Sequence, residues 1–326
     1  MLLKSTLKGL KLITKNLNIK EIFLAGKLLR EGKLVAFPTE TVYGLGARAD
    51  SDNSIKRIFN VKGRPSFNPL IVHVASIKMA KDIAVFDKQA LKLIDNLWPG
   101  PITFVVPLKK GHNISKLVTA GLDSVAIRFP KSLIAQQILS SAGVPIAAPS
   151  ANLSGRISPT SAIEVFEDLD GKINAILDGG PCEVGVESTI IKTDPITLLR
   201  PGGISPEDIQ RITGTEVFFL NKDASIVAPG QLKSHYAPEA PVRLNVQNLE
   251  PNEVLLGFGN VENATLNLSP SANLSEAAKN LFYMLRKLDR TVSKDDFKVI
   301  AVSPIPKIGI GLAINDRLER ASAPRY

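Results

Sequence analysis

The stretch KGRPSFNPLIVHV, residues 62–74, joins a polar loop to a buried strand. Arg64 and Asn68 each precede a proline, and the residue before a proline favours extended backbone. Alternate side chains of an extended chain share a face, so Lys62, Arg64, Ser66 and Asn68 should form a row of donors. Two cations beside two hydrogen-bonding groups can bind a polyphosphate; a solvated turn is the alternative.

Apolar runs bounded by glycine and proline lie on both sides of this loop and alternate with helical patterns. Strands are predicted at 34–37, 70–74, 102–106, 125–129, 145–148, 189–192 and 197–199. Helices are predicted at 19–31, 54–60, 88–96, 132–141, 161–168 and 206–211. This alternation predicts a large α/β domain over residues 1–213 rather than an all-β sandwich.

The pattern changes over residues 214–241, where glycines and prolines interrupt the chain and no amphipathic helix is evident. Such a composition indicates a linker. Beyond it, strands are predicted at 254–258 and 299–302 and helices at 274–289 and 313–321. Residues 242–326 therefore form a second, smaller α/β unit.

The composition narrows the class of protein. The 326 residues are 44% hydrophobic and 22% charged, which excludes wholesale disorder, collagen and a coiled coil. The single cysteine, Cys182, excludes an intrachain disulfide and is typical of a reducing compartment, so a cytoplasmic location is predicted. No apolar run reaches the ~18–20 residues of a membrane span. The formal net charge of +9 favours an anionic partner, such as a nucleotide, a nucleic acid or phosphate.

The first twenty residues are basic and contain no carboxylate. Their lysines are Lys4, Lys8, Lys11, Lys15 and Lys20. A transit peptide would favour arginine and serine, so we interpret the segment as a solvated lead-in, with targeting as the alternative.

Several common site motifs are excluded. Residues 44–49, GLGARA, fit the dinucleotide-binding fingerprint, which requires a strand directly before it and an acidic residue about 20 positions later. Pro38 ends the predicted strand well before this point, and residues 62–68 contain no carboxylate. The chain also lacks the G-x-x-x-x-G-K-[ST] nucleotide loop, the G-x-S-x-G serine elbow and a zinc-ligand spacing.

Three further segments place small or polar residues at strand ends, where open α/β sheets bind ligands. They are 145–155 with a Ser-x-Asn turn, 179–189 with three glycines, and 199–203 with an arginine before a turn. Each could instead be an ordinary turn. Arg128 is a charge within an apolar strand and must be paired or bind an anion, because an unpaired buried charge is costly. His73 alternates with two valines and could face the same cleft, or it could be a core residue.

Taken together, these segments resemble the threonylcarbamoyl-AMP synthase family, also called the YrdC-like family. The matching motifs are PTETVYGLG at 38–46, K-x-R-x-S-x-N-P-L at 62–70, PSAN at 149–152 and G-x-E-S-T at 185–189. The segment APGQLKSHYAP at 228–238 resembles the linker of the longer, two-domain form, with Gln231 where methionine is expected.

The resemblance implies a twisted open α/β sheet with a concave basic cleft, a linker that folds over it, and a small Rossmann-like domain. It implies a nucleotidyltransferase that condenses L-threonine, bicarbonate or CO2, and ATP into threonylcarbamoyl-AMP and pyrophosphate, with Mg²⁺ accompanying ATP. A separate transferase complex would then modify tRNA, and no membrane partner is expected.

The same resemblance assigns roles to matching positions. ATP would be bound by Lys62, Arg64, Asn68, Ser124, Ser150, Asn152, Ser158, Arg200 and Tyr236. Threonine would be bound by Thr41, His73, Arg128 and Ser188. Lys62 and Arg64 would be the catalytic cations on the triphosphate, Arg128 would take the threonine carboxylate, and Tyr236 would close over the nucleotide. Glu40 and Glu187 would organise the backbone, with metal contact as the alternative.

Other functions remain open from the sequence alone. A module that binds structured RNA without catalysis would need only a basic concave surface. A carbamoyltransferase domain of the same fold would act on carbamoyl-phosphate and ATP, but such domains normally occur in larger chains with zinc-finger and acylphosphatase regions. The second unit carries no chemical motif, so it could control the lid, form oligomers or bind a partner.

Overall fold

The computed structural model describes residues 12–220, 228–231, 235–294 and 297–324. The predicted lysines Lys4, Lys8 and Lys11 lie outside these residues, as do 221–227 and 232–234 of the predicted linker.

The larger unit is built on an eleven-stranded mixed sheet, counted within the described residues. Its strands are β1 (Lys15–Leu17), β2 (Val35–Pro38), β3 (Tyr43–Arg48), β4 (Ile71–His73), β5 (Ile102–Pro107), β6 (Ser124–Arg128), β7 (Ile146–Ala147), β8 (Ala175–Leu177), β9 (Thr189–Thr193), β10 (Ile196–Arg200) and β11 (Phe218–Phe219). Their order is β1-β8-β2-β3-β7-β4-β6-β5-β9-β10-β11. The edge strand β11 pairs with β10 and lies within the segment predicted as linker.

Helices cover both faces of this sheet unequally. They are α1 (Ile22–Arg30), α2 (Asp52–Lys62), α3 (Ile77–Ile83), α4 (Lys88–Leu97), α5 (Leu133–Ala142), α6 (Ala162–Leu169) and α7 (Pro206–Thr213). The main core packs α2, α3, α4, α6 and α7 on one face, whereas α1 and α5 pack on the other. Over β4, β6, β5 and β9 the second face is not covered by a described helix, and its apolar residues form a smaller cluster with Ala228 of the linker.

Local sequence signals explain why most predicted helices form. Ser205 accepts a hydrogen bond from the backbone of Asp208, and Pro206 is the first helical residue of α7. This cap-then-proline start satisfies a backbone donor that the first helical turn leaves free. Gly214 then ends α7 in the left-handed conformation that glycine adopts without strain.

The glycine-rich stretch after Pro38 differs from the prediction. Residues Tyr43–Arg48 form a buried strand that pairs antiparallel with β2 and with β7. Gly46 is required there by close packing, since a Cβ would lie 2.7 Å from the Phe37 ring. The glycines therefore sit inside a strand, which agrees with rejecting a dinucleotide fingerprint between a strand and a helix.

Counted over 242–294 and 297–324, the second unit has a four-stranded parallel sheet. Its strands are β12 (Val242–Arg243), β13 (Glu253–Gly257), β14 (Leu266–Asn267) and β15 (Val299–Val302), in the order β12-β15-β13-β14. Its helices are α8 (Leu274–Lys294) and α9 (Gly311–Ala321). One apolar core joins these elements to Val42, Val186 and Tyr236 of the larger unit and the linker. The two units therefore share a packed interface.

Candidate functional site

A cleft opens on the uncovered face of the large sheet, and the linker lies across it. Eight of the predicted site residues line its cavity: Thr41, Arg64, His73, Arg128, Ser150, Ser188, Arg200 and Tyr236. The linker contributes Pro229, Gly230 and His235 to the same wall. The cavity has about 50 Å³ of free volume in this arrangement. The linker therefore leaves little room beneath it.

Arg128, at the end of β6, is held by a buried ion pair. Its Nη2 donates to Glu40 Oε1 over 2.7 Å, and its Nη1 donates to Thr41 Oγ1 over 2.9 Å. Burial alone would raise the pKa of Glu40, but the charge of Arg128 and the hydrogen bonds to the carboxylate together outweigh it and hold that pKa below its ordinary value. The pair fixes the guanidinium at the cavity wall. The two interpretations of Arg128, that it is paired with a carboxylate and that it binds an anion, are therefore compatible.

His73 lies beside Arg128, because the two are register partners in the parallel strands β4 and β6. Its Nδ1 is 3.3 Å from the carbonyl oxygen of Ile71. Burial, with the nearby charge of Arg128, lowers the pKa of His73 to about 3. The imidazole is therefore neutral near pH 7. If Nδ1 carries the proton and donates to Ile71, Nε2 is left as an acceptor.

The predicted extended row at 62–68 is wrong. Lys62 is the last residue of α2, and Gly63 ends that helix with φ +61°. Asn68 N then donates to the carbonyl of Pro65, which closes a turn. Ser66 is exposed while Lys62 and Asn68 are buried. The glycine cap and the turn redirect the chain, so the alternation of an extended strand does not apply.

Lys62 and Arg64 nevertheless point inward with oxygen partners that carry no full charge. Lys62 Nζ donates to the carbonyl oxygens of Ser150, over 2.6 Å, and Asn152. Arg64 Nη2 donates to Asn68 Oδ1 over 2.7 Å and to a backbone carbonyl over 2.8 Å. Burial, together with the charge of Arg64, lowers the pKa of Lys62 well below its ordinary value. Burial also lowers the pKa of Arg64, to about 10.

Arg200 closes the opposite wall at the end of β10. Its Nη2 donates to the carbonyl oxygen of Ser188 over 2.9 Å, and its Nη1 donates to the carbonyl of Pro229 over 3.4 Å. The hydroxyls of Ser188 and Thr103 lie 2.8 Å apart. Arg200 therefore connects the strand β9 to the linker while its charge stays at the cavity.

Lys62 and three further predicted nucleotide residues lie behind the cavity wall. Asn152 Nδ2 donates to the carbonyl of Arg156, and Ser158 Oγ donates to Glu187 Oε1 over 2.5 Å. Asn68 Nδ2 and Asn152 Oδ1 are buried and lack a hydrogen-bond partner among the described residues. Because unpartnered buried polar atoms are rare, these two atoms are available to a ligand.

Ser124 lies in a second, larger cavity of about 580 Å³. Its other lining residues are mostly apolar and include Val105, Leu199 and Leu220. Ser124 and Arg128 share one face of β6, since they are an even number of residues apart. At ~3.3 Å per residue they are about 13 Å apart. The two cavities therefore lie along one face of the sheet, with the charged cavity at one end and the apolar cavity at the other.

The linker adds residues that sequence reasoning did not assign. His235 lines the cavity, and its ring centroid is 4.0 Å from that of Tyr236. Burial and the charges of Arg64 and Lys62 lower the pKa of His235 well below its ordinary value. Its neighbour Tyr236 was the only linker residue predicted; the adjacent position in the same motif was the available signal.

Both candidate carboxylates have organising partners. Glu40 Oε2 accepts a hydrogen bond from the backbone of Ser132, and Glu187 bonds Ser158 and Arg317. No group of three or more His, Cys, Asp or Glu side chains suited to a metal ion occurs within the described ranges. A membrane-spanning helix is likewise not found among the helices that the structure describes.

Two family models together match nearly the whole chain. A model of the Sua5, YciO and YrdC proteins, described as telomere recombination, matches residues 27–202. A second, described as the C-terminal domain of threonylcarbamoyl-AMP synthase, matches residues 204–323.

Similar proteins match this chain over most of their length. The threonylcarbamoyl-AMP synthase of Pyrococcus abyssi is 42% identical over 330 residues, which cover 94% of this chain and 95% of that protein. That of Bacillus subtilis is 41% identical over 332 residues, covering 94% of each. The crystal structure of P. abyssi Sua5 complexed with L-threonine has a TM-score of 0.85 and 39% identity, covering 95% of this chain and 97% of that one.

Proposed function

The chain belongs to the threonylcarbamoyl-AMP synthase family, and we propose that its cleft condenses L-threonine, bicarbonate or CO2, and ATP into threonylcarbamoyl-AMP and pyrophosphate. The observation that carries the proposal is the pairing of two kinds of site along one sheet face. A fixed arginine with hydroxyl neighbours suits an amino-acid carboxylate, and buried cations with only neutral oxygen partners suit a polyphosphate.

The chemistry requires no nucleophilic side chain. The amine of threonine adds to CO2 to give a carbamate and a proton. A carbamate oxygen then attacks the α-phosphorus of ATP, and the bond to the β-phosphate oxygen breaks, so that pyrophosphate leaves. The protein must align the reactants and stabilise the phosphate charge, which are the contributions that a preorganised cleft makes.

Threonine occupies the charged end of the cleft. Arg128 binds its carboxylate, and its position is fixed by Glu40. Thr41 and Ser188 offer hydroxyls to the same ligand, and neutral His73 offers a ring nitrogen to its amine or hydroxyl. A neutral imidazole suits this role, because a second cation beside Arg128 would repel the ammonium form of the substrate.

ATP occupies the rest of the same face. Its triphosphate contacts Arg64, Arg200 and Lys62, and the polar residues Asn68, Ser150, Asn152 and Ser158 complete that end. Its adenosine lies over the apolar cavity that contains Ser124. Tyr236 closes over the nucleotide, which enters when residues 228–231 and 235–241 move away from the cleft.

Mg²⁺ enters as part of the substrate. The described carboxylates nearest the cavity, Glu40 and Glu187, are engaged by arginines and backbone or hydroxyl donors, which does not suit a resident cation. A hard cation such as Mg²⁺ is commonly held by substrate phosphates, and its positive charge would add to that of the cleft at the triphosphate.

The wider setting follows from the product. Threonylcarbamoyl-AMP is a reactive mixed anhydride that a separate transferase complex passes to tRNA, so the enzyme works in the cytoplasm where tRNA is modified. We keep the predicted division into a catalytic unit (1–213), a linker and lid (214–241) and a Rossmann-like unit (242–326), with one correction. Phe218–Phe219 of the predicted linker form β11 and belong to the sheet of the catalytic unit.

Pyrophosphate release from ATP by purified protein tests this function. Release should require both L-threonine and bicarbonate, and mass spectrometry should detect threonylcarbamoyl-AMP. Pyrophosphate release that does not depend on L-threonine would contradict the proposal. Salt-sensitive binding of structured RNA without any adenylate would instead favour the binding module.

A further inference from the structure

One arginine of the second unit lies directly behind the wall of the cleft. Arg317 lies on α9, and its side chain is 0% exposed. Its Nε donates to Glu187 Oε2 over 2.8 Å, and its Nη1 donates to Asp316 Oδ2 over 2.6 Å. Its guanidinium carbon lies 5.2 Å from the centroid of the Tyr236 ring. Arg317 therefore touches a cavity-lining carboxylate and the lid at once.

Glu187 depends on this arginine for its charge. Burial alone would raise the pKa of Glu187, but the charges of Arg317 and Arg200 and the hydrogen bonds from Ser158 and Arg317 together outweigh it and hold that pKa below its ordinary value. The other carboxylate oxygen accepts from Ser158, and the next residue along the chain is Ser188. A buried carboxylate that loses its cation becomes protonated or moves toward water. Either change would displace two predicted ligand residues.

Tyr236 depends on its neighbours for its conformation. Its backbone has φ +62°, a left-handed value that a bulky side chain rarely adopts. Its ring stacks on Phe282 of α8 with centroids 5.6 Å apart and 26° between the planes. Arg317 lies near the same ring, and cations near aromatic faces attract them. The second unit therefore provides contacts that hold this side chain in the lid.

The loop that carries Glu187 also rests directly on α8. Gly185 has φ +80°, and a Cβ there would lie 2.4 Å from the carbonyl oxygen of Ala278 and from Lys279 Cα. Such contact leaves no space for the loop to shift toward the helix. Movement of the second unit would consequently be transmitted to the cleft wall.

We propose that Arg317 is a positioning residue for the reaction, which sets the closed geometry of the cleft through Glu187 and Tyr236. None of the described residues 242–324 lines the cleft cavity, so the second unit acts on it from behind. This gives that unit the role of holding the lid. The inference rests on the proposed function, because the ligand beneath the lid is ATP.

Arg317→Met and Arg317→Lys separate the two contacts. Arg317→Met should raise the KM for ATP at least ~10-fold, with a smaller change for threonine, since the lid and Glu187 both lose their support. Arg317→Lys keeps a charge for Glu187 but not the planar guanidinium, so it should restore part of the effect. Hydrogen–deuterium exchange of the backbone over residues 235–241 should increase in Arg317→Met.

A double variant and a matched control isolate the mechanism. Adding Glu187→Gln to Arg317→Met removes the unpaired buried carboxylate, so the Tm should recover while the KM for ATP stays raised. Arg286→Met is the control, because Arg286 crosses the same interface to Asp168 and to the carbonyl oxygen of Ile157 but contacts neither Glu187 nor Tyr236. It should lower the Tm without raising the KM for ATP.

The outcomes separate this inference from the proposed function. If Arg317→Met changes the Tm as Arg286→Met does, with an unaltered KM for ATP and unaltered exchange at 235–241, Arg317 is structural only and the inference fails. If the unmodified enzyme shows no threonine-dependent pyrophosphate release, the proposed function fails. The exchange measurement needs no turnover, so it still tests the coupling of Arg317 to the lid.

Discussion

The buried arginines of the cleft differ from those of the interface between the two units. In the cleft, Arg64 and Arg200 donate to backbone carbonyls, an amide oxygen and a serine hydroxyl. At the interface, Arg286 and Arg317 have carboxylate partners at 2.9 and 2.8 Å. Neutral oxygens orient a cation without cancelling its charge, whereas a carboxylate neutralises it.

This difference in partners separates two roles of arginine, a charge left available in the cleft and a charge neutralised by a carboxylate at the interface. Among the described residues, no carboxylate lies within ion-pair distance of Lys62, Arg64 or Arg200. Keeping such charges buried is costly, and the lowered pKa values of Lys62 and Arg64 record that cost. A polyanionic substrate would offset it. Arg128 is intermediate, since it has both a carboxylate partner and the cavity.

The largest effect should come from a cleft arginine. Arg64→Ala removes a charge that has no carboxylate partner, so it should lower threonylcarbamoyl-AMP formation at least ~10²-fold, the scale of losing one preorganised contact. Lys62→Ala should lower threonylcarbamoyl-AMP formation by at least the same factor. Steady-state pyrophosphate release measures both losses.

Thermal unfolding provides the control for these two variants. Both side chains also anchor oxygens of the cleft wall, Lys62 two carbonyls and Arg64 the Asn68 side chain with a carbonyl, so both variants should lower the Tm. Turnover is therefore compared at a temperature at which both variants remain folded. Near-normal turnover in both variants would mean that Lys62 and Arg64 do not bind the triphosphate. The difference in partners between the cleft and the interface would then be unrelated to function.

The next effect should come from Arg128, the intermediate case. Arg128→Met should raise the KM for threonine about 30-fold or more, since truncating one partner of a buried charge contact costs ~2–5 kcal/mol. Combining it with Glu40→Gln should recover stability, because the orphaned carboxylate is gone, but not threonine affinity. An unchanged threonine KM in a folded Arg128→Met protein would place the threonine carboxylate elsewhere.

Acid should affect His73 and Glu187 in different windows of pH. The folded pKa of His73 is lowered to about 3, so below its ordinary value of 6.5 the unfolded chain binds the proton first and stability falls. The folded pKa of Glu187 is lowered from 4.5, so its contribution is complete above about pH 4.5 and is lost as pH falls toward the lower value.

Denaturant unfolding between pH 7 and 3 checks this order. Replacing His73 with Gln should make the decline that begins near pH 6.5 shallower, with the remainder due to His235, whereas Glu187→Gln should alter the slope only below about pH 4.5. Identical pH profiles for the two variants would show that these two groups do not act in separate windows of pH.

The sequence predicted the regular elements better than the wall of the site. Helix α7 could be located because a serine cap, a proline and a final glycine define it locally. The strand Tyr43–Arg48 was missed because its glycines are selected by close packing with other strands, which no local pattern shows. Lys62 was misplaced for a different reason: the local signal, the Gly63 cap directly after it, is present in the sequence, but the two prolines favoured an extended chain.

The family resemblance provided the site residues but not their arrangement. It did not separate residues that line the cavity, such as Arg64, from those that lie behind it, such as Ser158. Arg317 had no signal at all, since it is an arginine in an ordinary helix 130 residues from Glu187. Contacts between distant segments arise only when the two units pack together.

The smallest effect should come from an exposed ion pair across the same interface. Arg290 bonds Glu167, but their side chains are 52% and 37% exposed. Solvent screens such a pair and its side chains lose entropy, so Arg290→Ala should change the free energy of unfolding by less than ~1 kcal/mol and leave both KM values unchanged. Urea unfolding and pyrophosphate release measure this. A loss of activity like that of Arg64→Ala would show that interface charge itself controls the cleft. The expected absence of an effect would instead mean that the burial of an arginine and the type of its partner decide how much it contributes to activity.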